Sequence, residues 1–152
     1  MATPGFLIRL MQFTGLSRSI KLGPEDSEAY RFATDLRAAA LEGRLLCVFI
    51  HPANELAGIT RVDRQGRRRA LPQAATARAL GLITGASDYL FLFGDGSLVI
   101  EFKSADGRLT PAQRDFRDWC KSRDVPFHLA RSRVEALDVL RDAGLYLDEK
   151  PS

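Results

Sequence analysis

The sequence predicts a single domain of the α/β class, and three observations support this prediction. A chain of 152 residues with 45% hydrophobic residues can bury one core without a disulfide or a metal ion. Segments with the apolar period of helices are interspersed with short apolar runs of the length of buried strands. The predicted order is helix, strand, long loop, two strands, helix, strand and helix, an arrangement that brings strands and helices together in one domain.

The first predicted helix covers residues 24–42. Pro24 suits a first turn, the acidic residues that follow it favour the positive end of the helix dipole, and Gly43 ends the helix. The continuous apolar run of residues 45–50 then predicts a strand that is covered on both faces.

Residues 1–23 precede this helix. Their apolar start lacks the basic region of a signal peptide, is interrupted by Arg9 and is too short to span a membrane. We expect them to form an N-terminal arm or an edge strand. The main domain is predicted to cover residues 24–147, with residues 148–152 as a tail.

The two cysteines, Cys47 and Cys120, lie in apolar patterns and have no metal-ligand spacing with a histidine. A zinc site or a disulfide framework is therefore not expected, and a reducing cytoplasm suits the chain.

Positive charge is concentrated in one segment. The net charge is +3, but residues 61–78 contain six arginines and one acid, so this segment carries +5 and the rest of the chain −2. It begins within a long connection, residues 51–74, which has no sustained period apart from a possible small hairpin around Asp63. Such a cluster indicates a surface for a polyanion, and a solvated arginine-rich loop is the alternative.

The remaining elements follow in order. A short helix is predicted near residues 74–80, and strands at residues 88–93 and 97–103 are joined by a Gly-Asp-Gly turn. The next helix begins with a cap, a proline and a capping-box glutamine, and its buried stripe is predicted to include Phe116 and Trp119. A strand at residues 126–130, with His128 in a structural role, and a helix at residues 132–143 complete the domain.

Three charged residues stand out in the otherwise apolar hairpin. With Asp95 and Gly96 as its two-residue turn, Asp88 lies opposite Lys103 and diagonal to Glu101, and all three charges share one face and one end. Two carboxylates at this spacing can share a divalent cation, and oxygen ligands suit Mg²⁺ or Mn²⁺. An ordinary ion pair between Glu101 and Lys103 at a strand end explains the same residues without a function.

The sequence resembles the VRR-NUC branch of the PD-(D/E)XK nuclease superfamily. The resemblance rests on Gly85, on Ser87-Asp88-Tyr89, on Ile100-Glu101-Phe102-Lys103 and on the G-x-L-T-x-x-Q pattern of residues 107–113, and it covers about residues 25–143. Ser87 replaces the usual proline of the motif. The resemblance implies a restriction-endonuclease-like fold, with a central mixed sheet flanked by helices.

The resemblance also implies a metal-dependent phosphodiesterase that acts on DNA. Asp88 and Glu101 would bind Mg²⁺ or Mn²⁺ with the carbonyl of Phe102, and Lys103 would orient water or stabilise negative charge. Further residues are implied near the site: Gln113 beside the active site, Glu28 as an additional ligand from the first helix with Glu55 as its rival, and His51 and Asn54 at the border.

Nucleic-acid binding is assigned to residues at and before the hairpin. Arg64, Arg67, Arg68 and Arg69 are expected to contact phosphates, and Asn54 and Ser87 are polar neighbours of the site. No motif for base readout is present, so structure-selective cleavage of branched DNA is favoured, with a homodimer on four-way junctions as the more specific hypothesis. The alternatives are a DNA-binding module that does not cleave and a structural or interaction protein.

Overall fold

A computed structural model describes residues 2–52 and 60–152. The helices are α1 (Gly5–Leu10), α2 (Pro24–Glu42), α3 (Pro72–Ala79), α4 (Pro111–Ser122) and α5 (Arg133–Asp142). The strands are β1 (Val48–Ile50), β2 (Thr60–Val62), β3 (Arg68–Ala70), β4 (Tyr89–Phe93), β5 (Gly96–Phe102) and β6 (Phe127–Ala130). From α2 onward this order is the predicted one, with the small hairpin β2–β3 inside the long connection.

The central sheet has four strands in the order β1-β4-β5-β6. β4 pairs antiparallel with β1 and with β5, whereas β5 and β6 are parallel. The predicted mixed sheet flanked by helices is therefore present. The strands β2 and β3 form a separate two-stranded sheet.

The core lies between one face of the central sheet and the helices α2 and α5. Phe32 and Leu36, one helical turn apart on α2, are fully buried, and so is Leu140 of α5. They pack against the aromatic face of the hairpin β4–β5, where Phe91 and Phe102 are 0% exposed. Full burial of such large side chains contributes about 1.5–3 kcal/mol each, so this layer holds the sheet on the helices.

The strand β1 is not covered on both faces, which corrects the prediction. It is an edge strand in which Val48 and Ile50 are exposed, while Phe49 packs against the core. The helix α4 packs over β6, which is at the opposite edge of the sheet from β1.

Two further expectations are corrected by the structure. Trp119 of α4 is 52% exposed and is not a core residue, although its neighbour Cys120 is buried. The N-terminal segment forms the helix α1 and not an edge strand, and it packs on α2: the Thr3 hydroxyl donates to the carbonyl of Leu41 at 2.8 Å. No helix in the described ranges is long and apolar enough to cross a membrane.

Candidate active site

The turn of the hairpin β4–β5 sets the position of the acidic residues. Phe93 pairs with Gly96, so the two-residue turn is Gly94-Asp95 and not Asp95-Gly96. The register differs from the prediction by two positions, which keeps every side chain on its predicted face. Continued one residue beyond the pair of Tyr89 and Ile100, it places Asp88 directly opposite Glu101, at the distance of about 4.5–5.5 Å that separates the Cα atoms of facing residues.

Asp88 is anchored to the end of β5. Its Oδ2 accepts a hydrogen bond from the backbone N–H of Phe102 at 2.8 Å. Its own carbonyl oxygen lies 2.5 Å from Nδ1 of His51, which donates when that nitrogen carries the proton. The carboxylate is thereby held at the border between the two strands, and His51 lies beside the backbone of Asp88.

Glu101 is buried, with only 1% of its surface exposed. Its Oε1 accepts a hydrogen bond from Nε2 of Gln113 at 2.5 Å, whereas its Oε2 has no hydrogen-bond partner in the described part of the chain. An unsatisfied carboxylate oxygen in the interior is costly, and a cation or a water molecule at this position would offset the cost.

Gln113 makes the contacts of a capping box and also reaches Glu101. Its side-chain oxygen accepts from the N–H of Thr110 at 2.9 Å, and the Thr110 hydroxyl accepts from the N–H of Gln113 at 3.2 Å, which completes a capping box. The same amide donates to Glu101. The first turn of α4 therefore holds a carboxylate of the sheet.

Lys103 connects the acidic pair with α2. Its Nζ lies 3.5 Å from Oε1 of Glu101 and 3.9 Å from Oε1 of Glu25, and only 9% of the residue is exposed. Glu25 also accepts a hydrogen bond from the backbone N–H of Ser104 at 3.3 Å. With the three acids ionised, this group of four charged side chains has a formal charge of −2.

Burial shifts the proton equilibria of both carboxyl groups. It raises the pKa of Glu101 to about 8, with the negative charge of Asp88 as the second cause. Burial also raises the pKa of Asp88, against the opposing effect of the Phe102 N–H. Two adjacent carboxyl groups that resist ionisation together are stabilised in their charged forms by a cation between them.

The residues fit a divalent cation with oxygen ligands. Asp88 and Glu101 supply carboxylates, and an extended residue directs its N–H and C=O to the same side, so the carbonyl of Phe102 faces the side of Asp88. Within the described residues, no group of three or more His, Cys, Asp or Glu side chains is arranged to bind a metal. A site made of two carboxylates and one carbonyl leaves several coordination positions for water, as Mg²⁺ prefers.

Glu25, and not Glu28, is the acid of α2 that reaches this site. Glu28 accepts a hydrogen bond from the N–H of Arg133 at 2.7 Å and lies 3.8 Å from Arg31. Glu28 therefore binds the backbone at the start of α5. Both glutamates lie on one side of α2, three residues apart, so the sequence pattern allows either of them to face the sheet. The rotation of the helix decides between them, and the sequence does not give this rotation.

The loop before β4 contacts α4 through Gly85. Its φ is +90°, and a Cβ there would lie 2.4 Å from the carbonyl carbon of Ala112 and 2.8 Å from the N of Gln113. Only glycine permits this approach of two backbones. The close packing seats the first turn of α4 above Glu101.

The residues predicted to contact nucleic acid differ in their exposure. Arg64, Arg67, Arg68 and Arg69 are exposed on the hairpin β2–β3, where the Nε atoms of Arg67 and Arg69 lie 3.2 and 2.9 Å from Oδ2 of Asp63. Ser87 is fully buried, so its side chain has no surface for DNA, which corrects that prediction. Asn54 and Glu55, which were also predicted to lie near the site, are outside the described residues.

A cleft of about 890 Å³ opens beside the acidic residues. Its lining includes Asp88 and Gln113 together with residues of α2 and of the N-terminal segment. Asp88 and Gln113 are therefore reachable from the surface, whereas Glu101 is buried behind them.

Comparisons with known proteins support the fold. Neither the models of known protein families nor the curated proteins match the sequence. A search of solved structures finds a VRR_NUC domain protein with a TM-score of 0.52 and 18% identity, and the alignment covers 84% of this chain and 93% of that chain. The chain thus has the fold of a VRR_NUC domain, as the resemblance implied.

Proposed function

We propose that this protein is a nuclease that hydrolyses phosphodiester bonds of DNA with Mg²⁺ or Mn²⁺. The observation that carries the proposal is the buried Glu101, which faces Asp88, contacts Lys103 and keeps one carboxylate oxygen without a partner in the described residues. The likeness to a VRR_NUC domain protein supports it.

Asp88, Glu101 and the carbonyl of Phe102 would hold the ion, and Glu25 would lie beside the site through its contact with Lys103. The bound ion would lower the pKa of a water molecule and neutralise charge on the phosphate. Lys103 would orient the attacking water or stabilise the negative charge that develops at phosphorus, and Glu25 and Glu101 hold its ammonium group in place. Gln113 would keep the Glu101 carboxylate oriented.

The finer proposal concerns the substrate. The exposed arginines of β2–β3 supply charge for phosphates without a device for reading bases, which favours structure-selective cleavage of branched DNA, including four-way junctions.

We also propose that the active form is a homodimer. The N-terminal arm packs on its own α2, so the better candidate surface for a second copy is the exposed apolar face with Val48, Leu92 and Trp119. Sedimentation at micromolar concentration with and without a four-way junction tests this proposal, and a monomer in both cases contradicts it.

Cleavage of a panel of DNA structures tests the nuclease proposal. Duplex, nicked, flapped and four-way substrates are incubated with Mg²⁺, Mn²⁺ or EDTA. We expect metal-dependent cleavage by the natural protein and a loss of at least about a hundredfold in Glu101→Gln, the scale for removing one preorganised group. Glu149→Gln neutralises an exposed acid of the tail and is the matched control.

Two results of this experiment would contradict the nuclease proposal. If no substrate is cleaved with Mn²⁺ while salt-dependent DNA binding is retained, the chain is a DNA-binding module that does not cleave. If Glu101→Gln cleaves as the control does, the assignment of the site is wrong.

A further inference from the structure

The cleft beside the acidic residues has the size of a ligand site. Its volume of about 890 Å³ falls within the range of cavities that bind small molecules and cofactors. Asp88 and Gln113 belong to its lining. A group bound in the cleft therefore lies next to the proposed site of cleavage.

Aromatic side chains also line the cleft. Phe13 of the N-terminal segment and Tyr30 of α2 both line the cleft, with ring centroids 6.1 Å apart and planes at 65°. Phe13 is 47% exposed and Tyr30 is half-buried. Exposed aromatic rings in a cleft are stacking surfaces for bases, because every base has a π-face.

Arg37 adds a positive charge to the lining of the cleft. Its guanidinium lies 4.4 Å from the ring centroid of Phe13, and it makes no ion pair or hydrogen bond with the residues at 2–52 and 60–152. A planar guanidinium without a carboxylate partner suits a phosphate group. Asp26 lines the same cleft and supplies acceptors for amino groups of a base.

In a duplex, the π-faces of the bases are stacked on one another and are not accessible to side chains. We infer that this cleft binds an unpaired nucleotide of the DNA substrate, with its base against Phe13 and Tyr30 and a phosphate on Arg37. The inference rests on the proposed nuclease function and specifies its substrate class. DNA with a single-stranded branch next to the cleaved bond is preferred to a continuous duplex.

Binding without cleavage tests the inference. The probe is a flapped duplex with 2-aminopurine at the first unpaired position, compared with a fully paired duplex of the same length. Glu101→Gln protein in EDTA is used, so that the DNA stays intact. We expect at least about tenfold tighter binding of the flap by fluorescence anisotropy, and a fall in 2-aminopurine fluorescence as the base stacks on the protein.

Three variants in the same background locate the effect. Tyr30→Ala is expected to weaken flap binding about tenfold and to restore the fluorescence, whereas Tyr30→Phe keeps the ring and both signals. Arg37→Gln is expected to lower the salt dependence of flap binding by about one ion. Phe6→Ala is the matched control, because Phe6 is 58% exposed and is not part of the cleft.

Two results overturn the inference: equal affinity for flap and duplex, or a Tyr30→Ala protein that binds like Phe6→Ala. Circular dichroism establishes whether each variant is folded. If Tyr30→Ala is unfolded, the binding of Arg37→Gln tests the inference instead. Cleavage by the natural protein without these binding effects refutes the cleft inference alone. Flap binding with these effects but without cleavage by the natural protein refutes the nuclease proposal.

Discussion

The hairpin β4–β5 has one face that is closed to solvent except near the turn and a second face that is closed from Val99 to Lys103 and exposed near the turn. On the first face, Tyr89, Phe91 and Ile100 are at most 4% exposed beneath α2 and α5. On the second face, Glu101 is 1% exposed under the start of α4, whereas Leu92 is 43% exposed.

This difference separates stability from chemistry within one hairpin. Each side chain buried on the aromatic face stabilises the folded state. This stabilisation can offset the cost of burying an ionisable group on the other face. On the second face, the start of α4 covers Glu101, whereas apolar side chains near the turn are exposed to water. We therefore expect substitutions on the first face to change stability most and substitutions around Glu101 to change activity most.

The largest expected loss of stability is for Phe91→Ala. Phe91 is fully buried, and removing a phenylalanine from a core costs about 3–5 kcal/mol. Urea unfolding measures the change, with Phe6→Ala as the exposed counterpart. A loss below about 1 kcal/mol would show that the aromatic face does not carry the fold.

Gly85→Ala is expected to cost about 1–3 kcal/mol through backbone strain and to abolish most of the proposed activity. The new Cβ would meet the backbone of Ala112 and displace Gln113 from Glu101. Gly81→Ala separates the two causes, because Gly81 also has a positive φ of 110° but has open space around it. If both variants cleave DNA equally well, the close contact has no role in the site.

Glu101→Gln is expected to change how stability depends on pH in EDTA. The folded protein raises the pKa of Glu101 from 4.5 to about 8, so the unfolded chain loses its proton first and this residue destabilises the natural protein increasingly from about pH 4.5 to 8. Glu101→Gln removes that contribution. Urea unfolding at pH 5 and pH 8 should show the variant gaining stability relative to the natural protein as pH rises, and a constant difference would contradict the buried site.

The smallest effect is expected for Leu92→Thr. Leu92 is 43% exposed in a strand, where threonine is well tolerated, so the free energy of unfolding should change by about 0.5 kcal/mol or less. The same substitution at Leu98, which is 3% exposed on the aromatic face, is the comparison. Equal losses at the two positions would mean that both faces are packed alike.

Much of the fold could be predicted because local signals specify it. Pro24 and Gly43 bound α2 as predicted, and the capping box at Thr110 marks the start of α4. Alternation assigned the faces of the hairpin correctly even though its turn was misplaced, because a register change of two residues preserves the face.

The errors occurred where coverage by distant elements decides the outcome. An apolar run such as β1 has the same sequence at the edge of a sheet as at its centre, so its exposure cannot be read locally. The spacing of Trp119 fits a buried stripe, but α4 is covered on less of its circumference than the pattern suggested.

The sequence by itself determined the order of elements, the two faces of the hairpin and the grouping of Asp88, Glu101 and Lys103, since these depend on turns, caps and a period of two. Only the tertiary structure decided that Glu25 and not Glu28 reaches Lys103, and that the N-terminal segment and α2 line a cleft beside Asp88. The rotation of a helix and the packing of an arm depend on contacts between residues far apart in the chain, which no local pattern encodes.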